Sequence, residues 1–338
     1  MILRQLSEAR GAAGDEGQVR KIIKEEAARH ADEIRIDALG NLIAHREGNA
    51  DLPRLMIAAH MDEVGLMVTH IDQDGLLKFL KVGGIDDRVL PSTVVQVGKE
   101  GVVGVIATKQ ALTPQQRSSV NTSEEMFIDI GAADRKAAEK KVGLGDYVTF
   151  CTDFEDFGDD RLKGRAFDDR AGCAMLLEIL SAEHQVPLSA VFTVQEEVGL
   201  RGAYVAAWDV RPDMALVFEG TTCADTPGSD EHLHSTTLGA GPALGMMDRS
   251  SIAHPGMLAQ LMRIAEQENI PYQFRRSTAG GNDAGPIHLN RSGVPTATIS
   301  TPCRYIHSPV SVLKRSDYDN GVRLVTAFLQ SIEGGFRP

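Results

Sequence analysis

Five places in the chain set carboxylates or imidazoles where strand ends and turns could gather them. His60 and Asp62 stand two residues apart, just past the apolar run Leu55-Met56-Ile57-Ala58-Ala59. Phe167-Asp168-Asp169-Arg170 precedes an apolar helical pattern, and Glu196-Glu197 follow Thr193-Val194-Gln195. Glu219 follows Met214 to Phe218, and His307 lies in Tyr305-Ile306-His307-Ser308-Pro309, after the apolar stretch near Ile299. Taken singly, each has an ordinary explanation: a helix-capping aspartate, a solvated glutamate pair at a helix start, a loop histidine. Taken together they point to metal chemistry, because acidic groups converging on one cleft repel one another unless cations occupy it. Histidine nitrogens and carboxylate oxygens are donors that Zn²⁺ accepts, and Co²⁺ or Mn²⁺ suit similar sets. A carboxylate shared by two ions allows a pair about 3.5–4 Å apart, the arrangement hydrolases use to activate water. On an extended chain His60 and Asp62 face the same way, so Asp62 is in range to hold the second imidazole nitrogen.

The elements that must position these residues are legible from periodicity. A helix with Val19, Ile22, Ile23 and Ala27 on one face precedes strands at Ile34 to Asp37 and Leu42 to Ala44. The run Leu55 to Ala59 has the composition of a strand buried on both faces, and α/β proteins place their chemistry just past such strands. From about residue 70 to 160 short β-type runs recur at Leu76 to Lys81, Val94 to Val97, Val102 to Ala107, Phe127 to Ile130 and Tyr147 to Phe150. Glycines separate them, which predicts a small antiparallel barrel or sandwich with one helix over Asp134 to Lys141. After Gly164 the α/β texture returns: helix Arg170 to Ala182, strand Ala190 to Val194, helix Gly202 to Trp208 and strand Met214 to Phe218. Helix His254 to Glu268, strand Val294 to Ser300 and a terminal helix, Asp317 to Ile332, complete the pattern. The simplest organisation is one α/β domain, residues 1–69 and 162–338, interrupted by a β module at 70–161.

Composition limits the partners. The 338 residues carry 35 basic against 47 acidic side chains, a net charge of −12, so phosphate-rich nucleic acid and anionic membranes are disfavoured. A hydrophobic fraction of 42% supports a large core and excludes disorder. The first residues turn polar too early for a signal peptide, and no run reaches the ~18 apolar residues of a spanning helix. Cys151, Cys173, Cys223 and Cys303 lie far apart and read as reduced thiols, which places the expected location in the cytoplasm.

Four motifs then occur in order: Ala58-Ala59-His60-Met61-Asp62-Glu63-Val64-Gly65, Ala166-Phe167-Asp168-Asp169-Arg170, Gln195-Glu196-Glu197-Val198-Gly199 and Tyr305-Ile306-His307-Ser308-Pro309. As a set they resemble the tetrahedral aminopeptidases, dinuclear-metal enzymes that include glutamyl, leucyl and lysyl aminopeptidases, with some relatives labelled endoglucanases. The likeness runs from Gly11 to the terminal helix and includes Asp37-Ala38-Leu39-Gly40-Asn41-Leu42, Asp129-Ile130-Gly131-Ala132 and Asp225-Thr226-Pro227-Gly228. The resemblance implies a mixed-sheet, zinc-exopeptidase-like α/β catalytic domain with an inserted β-barrel dimerisation domain. It implies two divalent ions per subunit, Zn²⁺ or Co²⁺ foremost and Mn²⁺ besides. His60, Asp168 and Glu219 would hold one ion, and Asp168, Glu197 and His307 the other, with Asp168 bridging. Glu196 would be the general base toward a water bridging the ions, and Asp62 would orient His60. The implied substrates are peptides cut at a free N-terminus, and the implied assembly is a homo-oligomer, dimers building a tetrahedral dodecamer.

Some positions stay open at this level. Glu219 stands where many relatives have Asp, and Asp225 is its rival as ligand. Asp169 competes with Asp168 as the bridge. Asn282 replaces an expected Thr, and Asp283 beside it is either structural or part of the site wall. A related dinuclear enzyme acting on acylated amino acids or peptide carboxyl ends would share the same cluster. A glycoside hydrolase using Glu196 and Glu219 would leave both histidines idle and would have a single Trp for stacking sugars. A non-catalytic metal-binding scaffold is the third alternative.

Overall fold

In the computed structural model, which describes residues 1–108 and 120–338, the central apolar run forms strand β3, Leu55–His60, buried at every position. Its side chains alternate between two layers: Leu55, Ile57 and Ala59 enter one core, Met56 and Ala58 the other. β3 lies between β12, Leu188–Thr193, and β13, Met214–Thr222, and is parallel to both; β13 is in turn parallel to β16, Thr296–Arg304. These strands are buried almost throughout, as strands covered on both faces are, although β16 carries Thr296, Thr298, Ser300 and Thr301 among its apolar residues. Antiparallel strands extend the sheet on either side: β1, Glu33–Ile36, and β2, Leu42–Arg46, at one edge, and β17, Ser311–Lys314, β11, Arg161–Gly164, and β10, Glu155–Asp156, at the other. Two short strands, β14, Ala243–Gly245, and β15, Gln273–Arg275, attach through β14 to β16.

Helices cover both faces. α1, Ile2–Glu8, α2, Gly17–Ala27, α4, Phe167–Ser181, α6, Pro255–Gln267, and α8, Arg315–Glu333, bury Leu6, Ile23, Leu176, Leu261 and Phe328 in the larger layer. On the other face α5, Arg201–Val210, packs through Ala203, Ala206 and Ala207, alongside α7, Ala284–His288. Six strands build the separate module: β4, Gly65–Ile71, β5, Leu77–Val82, β6, Val94–Val97, β7, Val102–Thr108, β8, Met126–Asp129, and β9, Tyr147–Phe150. They close in the order β4-β5-β8-β7-β6-β9 around Leu66, Val68, Leu77, Val95, Ile106, Ile128 and Val148. Of the two forms expected for this module, the structure takes the barrel, flanked by α3, Arg135–Glu139. The boundary drawn at residues 69 and 70 falls inside β4. Among the described residues no helix is long and apolar enough to cross a membrane, and the four cysteines are free.

Two departures from the sequence pattern matter for the site. β13 continues past Phe218 through Glu219-Gly220-Thr221-Thr222, paired with Ser300 to Cys303 of β16, although this stretch has no apolar run to announce it. The N-terminal residues form α1, tied down by Arg170, whose guanidinium is fully buried. Arg170 donates to the carbonyls of Met61 (2.7 Å), Ala9 (2.9 Å) and Gly11 (3.2 Å) and meets Glu63 Oε1 at 3.2 Å. Buried Arg165 pairs with the other Glu63 oxygen. Glu63→Ala strands two buried cations, so stability should fall by about 3–5 kcal/mol. The measurement is the urea midpoint, with the slope unchanged.

Candidate metal centre

The four parallel strands deliver their carboxyl ends to one crevice. His60 is the last residue of β3, in register with Thr193 at the end of β12. Glu196 and Glu197 follow in a turn whose Gln195 takes a left-handed φ of 56°. Glu219 lies on the extension of β13 opposite Ser300, and His307 sits in the turn after β16. Asp168 reaches in from the start of α4, joined to Asp169 by a cis peptide. Gly220 admits it: a Cβ there would stand 2.7 Å from the Asp168 Cβ.

Asp168 faces one imidazole with each oxygen. Its Oδ1 is 3.3 Å from His60 Nε2, and its Oδ2 is 3.3 Å from His307 Nε2. Glu219 Oε2 is 3.7 Å from His60 Nε2, and Glu197 Oε1 is 3.4 Å from His307 Nε2. Donor atoms of His60, Asp168 and Glu219 lie within 4.8 Å of one another, as do those of Asp168, Glu197 and His307 and those of His60, Glu196 and Glu197. Among the described residues Glu219 Oε1 is buried with no hydrogen-bond partner, a state that a cation would relieve. With Asp62 beside His60, all the residues expected at the site are neighbours. Asp168, Glu196, Glu197, Glu219 and His307, together with Thr221 and a wall between Ser277 and Gly281, border a cleft of about 830 Å³.

The positions left open differ in their contacts. Asp225 accepts from Arg304 Nε (2.8 Å) and Nη2 (3.0 Å) and from the Leu238 N–H (2.9 Å), outside the cluster. Asp169 is buried and its Oδ1 accepts from the Gly172 N–H at 3.0 Å. Asn282 donates to Asp248 Oδ2 at 2.8 Å and caps Ala284 N–H at 2.9 Å, so its contacts are structural. Asp283 accepts from Thr193 Oγ1 beneath the turn that carries Glu196.

Asp62 does more than face His60. The nearer acceptor for His60 Nδ1 is the Asp62 carbonyl, at 3.1 Å, with the carboxylate at 3.6 Å. That carboxylate accepts the backbone N–H of Glu196 (3.0 Å) and of Glu197 (3.1 Å), fixing the turn that aims them. Glu16 supports the same turn from the N-terminal segment, accepting from Gln195 N–H at 3.2 Å and Gly14 N–H at 2.7 Å. Cys173 donates its thiol to the His60 carbonyl at 3.1 Å. Periodicity marks neither Glu16 nor Cys173, since both roles arise from long-range register.

The charges are those of a site that calls for cations. Burial pushes the carboxyls of Glu196, Glu219 and Asp169 well above the usual range, Glu197 up to about 7 and Asp283 up to about 6. Asp168 goes the other way, because hydrogen bonds from His307 and His60 outweigh its burial. Burial opposes charge on the imidazoles, yet hydrogen bonds with Asp168 and Asp62 hold His60 well above its ordinary value, and Asp168 and Glu197 lift His307 to about 9. The donor set, two imidazoles and several carboxylates without a thiolate, fits Zn²⁺, Co²⁺ or Mn²⁺. A metal needs His307 neutral and Glu197 ionised, whereas without one His307 holds its proton below about 9 and Glu197 gains one below about 7. Protons therefore compete harder as the pH falls. Titrating chelator-treated protein with Zn²⁺ should give an affinity that weakens from pH 8 to pH 6. Calorimetry in buffers of different ionisation enthalpy should read net proton release at pH 6.5.

Comparison with known proteins agrees with this architecture. The model for M42 glutamyl aminopeptidase matches residues 40–324. The lysyl aminopeptidase of Pyrococcus furiosus is 33% identical over 98% of this chain and 97% of its own. A TET aminopeptidase from a marine sediment Thaumarchaeota archaeon superposes with a TM-score of 0.94 at 38% identity, covering 98% of this chain and 97% of that one. The Pyrococcus horikoshii TET1 peptidase, which can assemble into a tetrahedron or a large octahedral shell, gives a TM-score of 0.87 at 32% identity, over 97% of this chain and 98% of that one. With the family model spanning most of the sequence and the barrel and mixed sheet both matched, this chain belongs to the M42 aminopeptidase family of metal-dependent peptide hydrolases.

Proposed function

We propose that the chain removes N-terminal residues from peptides with two divalent ions, Zn²⁺ or Co²⁺ foremost and Mn²⁺ as the further candidate. The observation that carries this is the position of Asp168 between His60 and His307, one oxygen toward each. It supports a shared carboxylate, with His60 and Glu219 completing one donor set and His307 and Glu197 the other. When bound, the ions would lower the pKa of a water between them and polarise the scissile carbonyl.

Glu196 is the general base in this reading. Its carboxylate borders the cleft beside the donor groups, and Asp62 fixes its backbone. Burial raises its carboxyl well above the usual range, which brings it toward the working pH of a group that must take a proton from water and return it to the leaving amine. With Glu197 and Glu219 committed to the ions, the substrate's free α-amine would be anchored at the metal centre itself, which restricts cleavage to free N-termini. His60 is held by Asp62 in one ring orientation throughout.

We further assign a homo-oligomeric state, with the barrel as dimerisation module and a tetrahedral dodecamer as the assembly. The TET1 relative supports it, and so do apolar residues left in water: Val94, Val103 and Val105 on the barrel, and Tyr204, Val205 and Trp208 on α5. The free thiols fit the reducing cytoplasm.

The test is release of amine from aminoacyl-p-nitroanilides and short peptides by chelator-stripped protein, before and after adding each metal. Activity should return with metal and vanish on N-acetylated substrates. Glu196→Gln should bind two ions and melt as the parent does, while kcat falls by at least ~10²–10⁴-fold. Near-parental turnover would remove Glu196 from the role of base. His60→Ala and His307→Ala should each bind one ion fewer.

A further inference from the structure

Beneath the turn that carries Glu196 lies a carboxylate that the hydrolytic chemistry does not use. Asp283 is 1% exposed and stands immediately before α7, where an aspartate ordinarily caps its own helix. Here Asn282 accepts the Ala284 N–H instead, at 2.9 Å, and the Asp283 side chain makes no capping bond. It turns under the sheet: Oδ2 accepts the Thr193 hydroxyl, and among the described residues Oδ1 has no hydrogen-bond partner. The backbone that carries it is held in place, because Asn282 donates from its side chain to Asp248 Oδ2 (2.8 Å) and from its N–H to Ser250 Oγ (3.1 Å).

Thr193 ends β12 in register with His60, and its carbonyl accepts the Met61 N–H at 2.8 Å. Two residues on, Gln195 holds a left-handed φ of 56° without being glycine, a conformation that persists only where the surroundings impose it. Beyond Gln195 the Asp62 carboxylate holds the turn through two N–H groups, and Glu16 accepts the Gln195 N–H itself. On the strand side Asn41 accepts the Val194 N–H at 3.0 Å, and Asp283 holds the Thr193 side chain. The other acceptor within reach of that hydroxyl is the Ala59 carbonyl, at 3.4 Å. A hydroxyl has one proton to donate, and the carboxylate is the stronger acceptor.

We infer that Asp283 is a positioning residue for the general base: through the Thr193 hydroxyl it fixes the end of β12 from which the Gln195-Glu196 turn springs. This rests on the reading of Glu196 as the base. Asp283 is neither among the residues that border the cleft nor among the grouped metal donors, so it acts through Thr193 and touches no substrate. Asp62 and Asp283 thus hold the turn from its two ends, and the left-handed Gln195 lies between them.

Co²⁺-loaded enzyme is assayed on the aminoacyl-p-nitroanilide that the parent cleaves fastest, with rates expressed per bound metal pair. Asp283→Leu and Thr193→Val should each lower kcat about 10- to 100-fold, the contribution of one charged hydrogen bond, with KM within about twofold. The visible spectrum of the bound Co²⁺ should stay as in the parent. The double variant, Asp283→Leu with Thr193→Val, replaces both partners by apolar groups; it should fold and lose no more than the worse single variant, so it carries the test even where a single variant fails to fold. Asp283→Asn keeps an acceptor oxygen and Thr193→Ser keeps the hydroxyl, so each should regain most of the loss. In a Glu196→Gln background, where no base remains to be positioned, Asp283→Leu should lower the residual rate by less than about threefold. Parental kcat in the double variant, additive losses, an undiminished effect in the Glu196→Gln background or an altered Co²⁺ spectrum each overturn the inference and leave Glu196 as the base. Near-parental turnover of Glu196→Gln itself would remove that reading and this one together.

Discussion

Asp168, Asp169, Glu196 and Glu219 are all nearly out of water, close to one another, with two imidazoles as the nearest positive partners. Such a group of like charges is tolerable only when protons or metal ions neutralise it. The raised carboxyls of Glu196 and Glu219 and the lifted imidazoles are two expressions of that one electrostatic demand. Meeting the demand is the condition for everything else in the site, since a bare cluster of this kind can only collect protons.

The fold reconciles this unfavourable cluster with a stable molecule by placing it at the end of a sheet whose central strands are buried. β3, β12 and β13 are held by alternating side chains in two cores, β16 adds Ala297, Ile299 and Cys303 to the larger one, and charge on these strands lies toward their carboxyl ends. Beneath the site, Arg170 and Arg165 share Glu63 and gather the carbonyls of the N-terminal segment around Met61, the residue between His60 and Asp62. Asp62 then grips the Glu196-Glu197 turn through its backbone. The course of that turn is thus tied to the end of the buried strand β3 through the Asp62 carboxylate, which accepts two of its main-chain N–H groups.

The barrel is coupled to this centre as well. β4 begins at Gly65, a few residues after His60, and Gly83 and Gly84 at the end of β5 return to the site. A Cβ at Gly83 would stand 3.4 Å from Glu197 Cβ, and one at Gly84 would stand 3.6 Å from His307 Nδ1. A module that abuts Glu197 and His307 can carry changes of its packing into the candidate metal centre.

Much of this is legible in the order of residues along the chain. The run Leu55 to Ala59 announces a fully buried strand because apolar character is local, and the acidic and histidine residues stand out because each follows such a run. The alternation from Leu66 to Phe150 likewise marks a β module, but whether it closes depends on β4 meeting β9, with Leu66 opposite Val148. The choice between Glu219 and Asp225 as a neighbour of His60 stays open in the sequence, because the polar stretch Glu219 to Thr222 is made a strand by its pairing with β16. Arg275 is farther still from any sequence signal, 54 residues from the Thr221 it binds. Side-chain chemistry and periodicity are properties of the chain itself. Which carboxylate faces which imidazole, and which guanidinium reaches which hydroxyl, is decided by long-range strand register, and that exists only once the sheet has formed.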